Sequence, residues 1–253
     1  MNGFENRTDA ARAYDIPPCG VAQSVEQGAV STTVAGSSPA PAAQSAADWT
    51  AAIARNKRPK FTIERASIAA FYEVHQEYKL FLLPRYKAPR VLDLGANYGV
   101  FSWSVCLQWP DATVIAYEAH PDTARDLRNN MEGLPVDVHH AAITGDGRAV
   151  KLYEGARNRL CCSVRTDLND QDLECGWEVP GVSAKDLPAC DILKCDVEGL
   201  EVEILESYPH MATLRALLVE CHTELDMRKV AAIAGAAGLT LLSQESNTLR
   251  FCR

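Results

Sequence analysis

The chain has 253 residues, 47% of them hydrophobic, and its 25 Lys and Arg against 33 Asp and Glu leave a net charge of −8. A chain of this size can bury a core without disulfides or metals, and no apolar run reaches the roughly 18 residues of a membrane-spanning helix. Because nonspecific nucleic-acid binding needs a basic surface, the acidic balance argues against a nucleic-acid partner and favours a small-molecule site.

The cysteines and the N-terminus indicate the compartment. Several of the nine cysteines lie in apolar stretches that are typical of strands, and we expect buried thiols there: Cys190, Cys195, Cys221 and Cys252. The N-terminus lacks the basic start followed by about 7 to 15 apolar residues that marks a secretory signal. We therefore expect a protein of the reducing cytoplasm.

Residues 1–47 are predicted to lie outside the fold. Residues 16–47 contain one charge, Glu26, no aromatic side chain, and much Ala, Ser, Gly and Pro. Such a segment buries too little apolar surface to offset the entropy of ordering it, so we expect a disordered tail. Segments 20–27 and 34–42 also resemble the translated D-arm and T-arm of a transfer-RNA gene, in which case the start of the chain is set too early.

Residues 48–88 are predicted to form a helical lead-in or lid. Asp48 is a candidate N-cap for a helix over 49–56, and apolar residues from Ile63 to Phe81 recur at spacings of three and four. The basic side chains between 55 and 60 are interpreted as a solvated helix face.

From residue 89 to 253 short apolar runs alternate with helical patterns, which predicts a parallel sheet with crossover helices. An irregular segment is expected to extend to about Lys185, and the last two strands form an antiparallel hairpin. The predicted strands are 90–95, 112–117, 136–143, 149–153, 190–195, 214–221, 239–243 and 248–252. The predicted helices are 100–109, a helix capped by Asp122 and ending at 131, 200–207 and 224–237.

A glycine-containing loop follows the first predicted strand. Asp93, Gly95, Ala96, Asn97 and Gly99 form its pattern, whose glycines are four residues apart and so do not match the G-x-G-x-x-G of pyrophosphate binders. Glycine lets the backbone approach a ligand closely. A carboxylate at this strand end favours a cationic ligand and repels a diphosphate, which points to S-adenosylmethionine with its ammonium and sulfonium.

Glu118 is predicted to bind a ribose. It ends the second predicted strand, 23 residues after Gly95. An acidic side chain at that place accepts hydrogen bonds from the two ribose hydroxyls, in nicotinamide and adenosylmethionine cofactors alike. Together with the glycine loop, Glu118 makes a cofactor site the strongest functional prediction.

Four runs, 91–102, 116–121, 191–201 and 218–222, resemble FkbM-type methyltransferases in order and spacing. The most specific element is Lys194-x-Asp196-Val-Glu198-Gly-x-Glu201. The resemblance extends from about Val91 to the C-terminus. It departs from the family pattern at Cys195, whose position is usually aliphatic, and over 161–162.

The resemblance implies a Rossmann-like class I methyltransferase domain over 89–253, with a doubly wound, mostly parallel sheet and a C-terminal antiparallel hairpin. It implies S-adenosylmethionine as cofactor and a methyl acceptor that is a hydroxyl of a sugar, lipid or polyketide-like metabolite. It also places the adenine of the cofactor near Ala142.

The end of the strand over 190–195 carries the predicted chemistry. Asp196 closes this strand where open α/β sheets bind ligands, and Glu198 precedes the next helix. Glu198 and Glu201 are spaced to share one helix face, although both could instead cap the helix. Lys194 either holds an anionic substrate or pairs with a neighbouring carboxylate.

A hydroxyl acceptor must lose its proton, and the candidates for the general base are Asp196, Glu198, Glu220 and His222. His222 titrates in the useful range but could be a structural hydrogen bonder instead. We take Asp196, Glu198, His222 and Lys194 as the catalytic set. These side chains include ligand types for a hard divalent cation, but spacing gives no coordination geometry, and we predict no metal.

Two other functions remain open at this point. A nicotinamide-dependent oxidoreductase is disfavoured by the missing third glycine and by the absence of a helical Tyr-x-x-x-Lys pair. A noncatalytic module that binds S-adenosylmethionine would keep the same fold. The acceptor pocket is expected to come from 48–88 and about 154–185, where no motif identifies a substrate.

Overall fold

The computed structural model describes residues 78–155, 158–163 and 173–253. The predicted tail over 1–47 lies outside the described residues, as do the lead-in helices before Tyr78. Among the described residues, none of the helices has the length and apolar character needed to cross a membrane.

Twelve strands and four helices make up the described part of the chain, with single 3-10 turns at Leu80–Leu82, Ala184–Asp186 and Met211–Thr213. The strands are β1 (Arg90–Leu94), β2 (Thr113–Glu118), β3 (Val136–His140), β4 (Ala142–Thr144), β5 (Val150–Gly155), β6 (Asn158–Ser163), β7 (Leu173–Val179), β8 (Gly181–Ser183), β9 (Ile192–Cys195), β10 (Ala216–Glu220), β11 (Thr240–Glu245) and β12 (Thr248–Cys252). The helices are α1 (Val100–Gln108), α2 (Pro121–Asn130), α3 (Glu201–Ser207) and α4 (Glu224–Ala236).

The main sheet has seven strands in the order β11-β12-β10-β9-β1-β2-β3. Neighbouring strands from β10 to β3 are parallel, and β12 is antiparallel to both β10 and β11. This confirms the predicted Rossmann-like class I methyltransferase fold with its C-terminal hairpin. From β1 the chain builds outward to β3 and then returns to β9 on the other side, so the strand order reverses between β1 and β9. Ligands of open α/β sheets bind at such a reversal, outside the carboxyl ends of the strands.

The core lies on both faces of this sheet because the side chains of each buried strand alternate between them. Leu92 and Leu193 belong to the cluster that also contains side chains of α3 and α4. Val91 and Ile192 belong to the opposite cluster, with Tyr78 and side chains of α1. The same alternation places Asp93 and Lys194, two residues further along β1 and β9, on the Tyr78 side.

Two of the predicted segments are wrong, one strand and one irregular segment. The strand expected over 136–143 is broken at Ala141, because β3 pairs with β2 whereas β4 pairs with β8. The segment expected to be irregular up to Lys185 contains β6, β7 and β8, and β5 pairs with both β6 and β7. Leu, Cys, Trp and Val alternate with other residues along 173–179, and this period of two would have indicated a strand.

The predicted cap of α2 is also wrong. Pro121 starts the helix, and the His120 side chain caps it by accepting a hydrogen bond from the Thr123 N–H at 3.3 Å. Asp122 lies within the first turn and forms an exposed ion pair with Arg125 at 2.7 Å. Proline is favoured at the first helical position because its missing N–H is not needed there.

Candidate functional site

The loop after β1 is pressed against the end of β9. Gly95 has φ 74°, and a Cβ there would lie 1.7 Å from the carbonyl oxygen of Asp196, so only glycine fits. The N–H groups of Gly95 and Ala96 donate to the carbonyl oxygen of Tyr117 in β2, at 3.0 and 2.9 Å. The loop is thereby fixed to the strands on both sides of β1.

Gly99 lets α1 and α2 approach each other. It has φ 91°, and a Cβ would lie 2.6 Å from Leu127 and 2.8 Å from Met131. Asn97, at φ 51°, is one of the few residues other than glycine that adopt the left-handed conformation readily. The loop is therefore a tight turn at the sheet edge, with Ala96 and Gly99 buried and Gly95, Asn97 and Tyr98 partly exposed.

Glu118 is held by this loop. Its Oε2 accepts a hydrogen bond from the Asn97 N–H and its Oε1 accepts one from the His120 N–H, both at 2.8 Å. Burial raises the pKa of Glu118, and the two N–H donors oppose that rise. Each carboxylate oxygen keeps a further lone pair, which suits a pair of vicinal hydroxyls.

Apolar side chains lie next to Glu118 along the chain and in space. Ala142 is 6% exposed and packs in a cluster against which Ala119 and Trp177 lie. The His120 ring meets the Trp177 ring edge-on, with centroids 4.3 Å apart. Trp177 was not among the predicted cofactor residues, because its strand was expected to be an irregular segment.

Asp93 is fully buried, at 0% exposed, and so does not face a ligand directly. Its Oδ2 accepts a hydrogen bond from the Ser102 hydroxyl at 2.6 Å, and its Oδ1 lies 3.4 Å from the Lys194 ammonium. Register explains this contact, because Asp93 and Lys194 are direct partners across β1 and β9. Asp93 can therefore affect a ligand at this edge only indirectly, through Lys194 and the loop backbone that Lys194 contacts.

Lys194 contacts groups on both sides of the strand reversal, after β1 and after β9. Its ammonium donates to the Gly95 carbonyl oxygen at 2.5 Å and lies 3.4 Å from Oδ2 of Asp196. Burial alone would lower the pKa of Lys194, but the carboxylates of Asp196 and Asp93 outweigh it and raise the pKa. The ammonium stays charged, and the ion pair considered in the sequence analysis is present.

Tyr78 is a site residue that was not among the predicted catalytic or cofactor residues. Its hydroxyl donates to Oδ2 of Asp196 at 2.8 Å, and the Lys194 ammonium lies 5.6 Å from the centre of its ring. From the sequence, Tyr78 is an apolar position in a helical pattern, an aromatic side chain that either lines the acceptor pocket or belongs to the core. Nothing in that pattern revealed that the polar tip of this side chain reaches the end of β9.

The ends of β9 and β10 bring three of the predicted catalytic residues together. Asp196, Glu198 and His222 each place one ligand atom within 4.8 Å of the other two. Nε2 of His222 lies 3.4 Å from Oε2 of Glu198 and 3.6 Å from Oε1 of Glu201. These side chains are partly buried, with 21%, 30% and 15% of Asp196, Glu198 and His222 exposed.

Glu201 shapes the turn that carries Glu198. The carboxylate of Glu201 is 2% exposed and accepts the N–H groups of Val197 at 3.2 Å and of Gly199 at 3.0 Å. Glu198 has φ 58° and precedes α3, which begins at Glu201. The prediction that Glu198 and Glu201 share a helix face is therefore wrong: Glu201 caps the turn from inside the first helical turn, and Glu198 projects from the turn.

The pKa values of Glu198, His222 and Glu220, in and beside this cluster, are raised. Burial raises the pKa of Glu198 to about 7, an effect that His222 opposes and that Asp196, Glu220 and Glu201 reinforce. For His222, burial lowers the pKa, but Glu201 and Glu198 outweigh it and raise the pKa to about 9. Glu220 accepts a hydrogen bond from Asn247 at 2.7 Å, and burial raises its pKa. This end of the sheet attracts protons and cations.

No protein-family model matches the chain. Over 165 residues it is 24% identical to the hexuronic acid methyltransferase AglP of Haloferax volcanii, a match that covers 58% of this chain and 62% of AglP. The chain thus spans less than two thirds of the length of that curated relative.

Two solved structures are also similar. The methyltransferase FkbM from Methylobacillus flagellatus is 15% identical, with a TM-score of 0.49, over 81% of this chain and 61% of that chain. A 16S rRNA methyltransferase from T. thermophilus is 14% identical, with a TM-score of 0.39, over 77% of this chain and 44% of that chain. The comparisons do not support the predicted exclusion of nucleic acid, which stays a prediction.

Proposed function

We propose that the chain is an S-adenosylmethionine-dependent O-methyltransferase of FkbM type that methylates a hydroxyl of a small molecule. One observation carries the proposal: a carboxylate fixed for hydroxyl binding and a cluster of carboxylates with an imidazole lie at the same sheet edge. Glu118 is on the β1–β2 side of the strand reversal, and Asp196, Glu198 and His222 are on the β9–β10 side.

The residues on the β1–β2 side fit the proposed cofactor. Glu118 would accept hydrogen bonds from the ribose hydroxyls, and the apolar surface beside Ala142 and Trp177 would pack against the adenine. The loop over 95–99 would bring its backbone against the remaining part of the cofactor. When bound, S-adenosylmethionine supplies a methyl group on a positively charged sulfur, and the carboxylates at this edge favour that charge.

The residues on the β9–β10 side would orient the acceptor and take up its proton. Methyl transfer to oxygen depends mainly on alignment of the nucleophile, to which a fixed carboxylate contributes by accepting the hydroxyl proton in a hydrogen bond. Asp196 is held by Tyr78 and Lys194 through Oδ2, which leaves Oδ1 to meet the acceptor. Glu198 and His222 lie beside Asp196 and would contact the same acceptor.

We propose a sugar or similar polyhydroxyl compound as acceptor, which agrees with the activity in the name of the archaeal relative. The net charge of −8 and the carboxylates of the site disfavour a polyphosphate chain, so we keep nucleic acid outside the proposal. A cytoplasmic location also stays a prediction from the N-terminal sequence.

Cofactor binding tests the proposal directly. The full-length protein is titrated calorimetrically with S-adenosylmethionine and, separately, with NADH, since Glu118 could serve the ribose of either. We expect micromolar binding of S-adenosylmethionine only. Glu118→Ala should weaken it tenfold or more, or about 1.4 kcal/mol, while the exposed Glu132→Ala, a matched acidic control beyond α2, should leave it unchanged.

A folded protein that binds NADH and not S-adenosylmethionine would replace the proposal with an oxidoreductase. Binding of S-adenosylmethionine without methyl transfer to any sugar, lipid or polyketide hydroxyl would leave a noncatalytic module.

A further inference from the structure

Asp196, Glu198 and His222 have the chemistry and spacing of a metal site. One carboxylate or imidazole atom of each lies within 4.8 Å of the others. Metal–ligand bonds of about 2.0 to 2.4 Å separate opposite ligands of one octahedral ion by about 4 to 4.8 Å, and adjacent ligands by about 2.8 to 3.4 Å. The 3.4 Å between Nε2 of His222 and Oε2 of Glu198 fits two adjacent ligands.

The imidazole of His222 faces the carboxylates of Glu198 and Glu201, and its Nε2 does not complete a hydrogen bond with either of them. Its Nε2 is shielded from solvent and has no hydrogen-bond partner among the described residues. The two carboxylates nearest to it, at 3.4 and 3.6 Å, lie at the outer limit of such a bond. A buried nitrogen in this position requires either a proton shared with both carboxylates or a ligand between them.

Carboxylates outnumber the basic side chains, Lys194 and His222, around Asp196 and Glu198. Glu201 and Glu220 act electrostatically on Glu198 together with Asp196, which makes four carboxylates. Among them the ammonium of Lys194 forms an ion pair with Asp196 only, and it is shared with Asp93. The contacts of Asp196 with Tyr78 and Lys194 both use Oδ2, so Oδ1 can serve another partner. A divalent cation would balance this charge.

We propose that Asp196, Glu198 and His222 bind a divalent transition-metal ion of the Mn²⁺ type. Two carboxylates and one imidazole suit Mn²⁺ or Fe²⁺ better than Mg²⁺ or Ca²⁺, which prefer oxygen ligands alone. Three protein ligands leave coordination positions for the acceptor, and the ion would lower the pKa of an acceptor hydroxyl and orient it. Only this use of the ion rests on the proposed function; the binding of the ion does not.

Manganese binding to the full-length, metal-stripped protein tests the site without cofactor or acceptor. Titration with MnCl₂ is followed through the electron paramagnetic resonance signal of free Mn²⁺, and pulsed measurements detect nitrogen coupled to the bound ion. We expect one bound Mn²⁺ with nitrogen coupling. Glu198→Gln should weaken binding at least tenfold, and His222→Gln should also remove the nitrogen coupling.

The control is Asp137→Asn, which alters an exposed carboxylate–imidazole pair, Asp137 with His139 at 3.0 Å, at the far edge of the sheet. This variant should bind Mn²⁺ as the unaltered protein does. Because His222 is more buried than Glu198, circular dichroism checks the fold of each variant, and Glu198→Gln decides the test if His222→Gln unfolds.

The inference is overturned if the unaltered protein binds no Mn²⁺, or if Asp137→Asn weakens binding as much as Glu198→Gln. Its failure is distinguishable from that of the proposed function. Mn²⁺ binding without S-adenosylmethionine binding would support the metal site and remove the methyltransferase, and the reverse result would remove the metal site alone.

Discussion

The two sides of the strand reversal hold their carboxylates in different ways. On the β1–β2 side, Glu118 is fixed by two backbone N–H groups, from Asn97 and His120. On the β9–β10 side, Asp196, Glu198 and His222 are fixed by one another and by the side chains of Tyr78, Lys194 and Glu201.

This difference separates two kinds of site. Backbone N–H donors do not titrate, so the hydrogen bonds they give to Glu118 do not depend on their own protonation, which suits the proposed cofactor site. Side-chain partners carry charges that change with protons and ligands, so the β9–β10 side can respond to an acceptor or a cation. Lys194 and Gly95 lie between the two sides, and changing them should affect both.

The largest effect is expected from Lys194→Met. It leaves the fully buried carboxylate of Asp93 without its cation, which typically costs about 3 to 5 kcal/mol. We expect a loss of that size in the free energy of unfolding, measured by urea denaturation. Lys79→Met removes an ion pair with Glu245, whose side chain is 53% exposed, and should cost far less, because exposed ion pairs contribute little to stability. Similar losses in both variants would show that the buried pair does not link the two sides.

The second largest loss in the free energy of unfolding is expected from Gly95→Ala. The added Cβ would overlap the carbonyl oxygen of Asp196, and φ 74° strains any side chain, so we expect a loss of about 3 kcal/mol or more in the free energy of unfolding. Gly133→Ala is matched to it, because φ is 79° there but nothing lies within 4 Å of the added Cβ. It should cost about 1 kcal/mol. Equal losses would mean that the loop is not pressed against β9.

The smallest effect is expected from Tyr78→Phe, which removes a hydrogen bond to the β9–β10 side and keeps the ring. Loss of the hydrogen bond to Asp196 should lower the free energy of unfolding by about 1 kcal/mol and leave the affinity for S-adenosylmethionine unchanged. Tyr86→Phe removes a weaker bond, 3.5 Å long, to the Arg215 carbonyl and should cost less. A weakened cofactor affinity in Tyr78→Phe would place Asp196 on the cofactor side.

On the β1–β2 side, the place of the candidate residues in the fold could be predicted from the sequence. Asp93, Gly95 and Glu118 stand at strand ends, and in a parallel sheet strand ends share one edge, so their order along the chain gives their place in the fold. The hairpin and the parallel order followed from apolar runs for the same reason. The register of β1 against β9 is not contained in such runs, and it is this register that buries Asp93 against Lys194.

The β9–β10 side could be predicted only as a set of candidate catalytic residues. Asp196, Glu198 and His222 were identified, but their mutual distances depend on the left-handed turn at Glu198, which Glu201 fixes from α3. A spacing of three residues suggested a helix face instead. Tyr78 reaches Asp196 across 118 positions of the sequence, and no local pattern encodes such a contact.

Paired calorimetric titrations of Glu118→Ala and Glu198→Gln with S-adenosylmethionine test the division between the two sides most directly. If the β1–β2 side holds the cofactor, Glu118→Ala binds it at least tenfold more weakly, whereas Glu198→Gln binds it within about twofold of the unaltered protein. Equal weakening in both variants, or weakening in Glu198→Gln alone, would contradict the account.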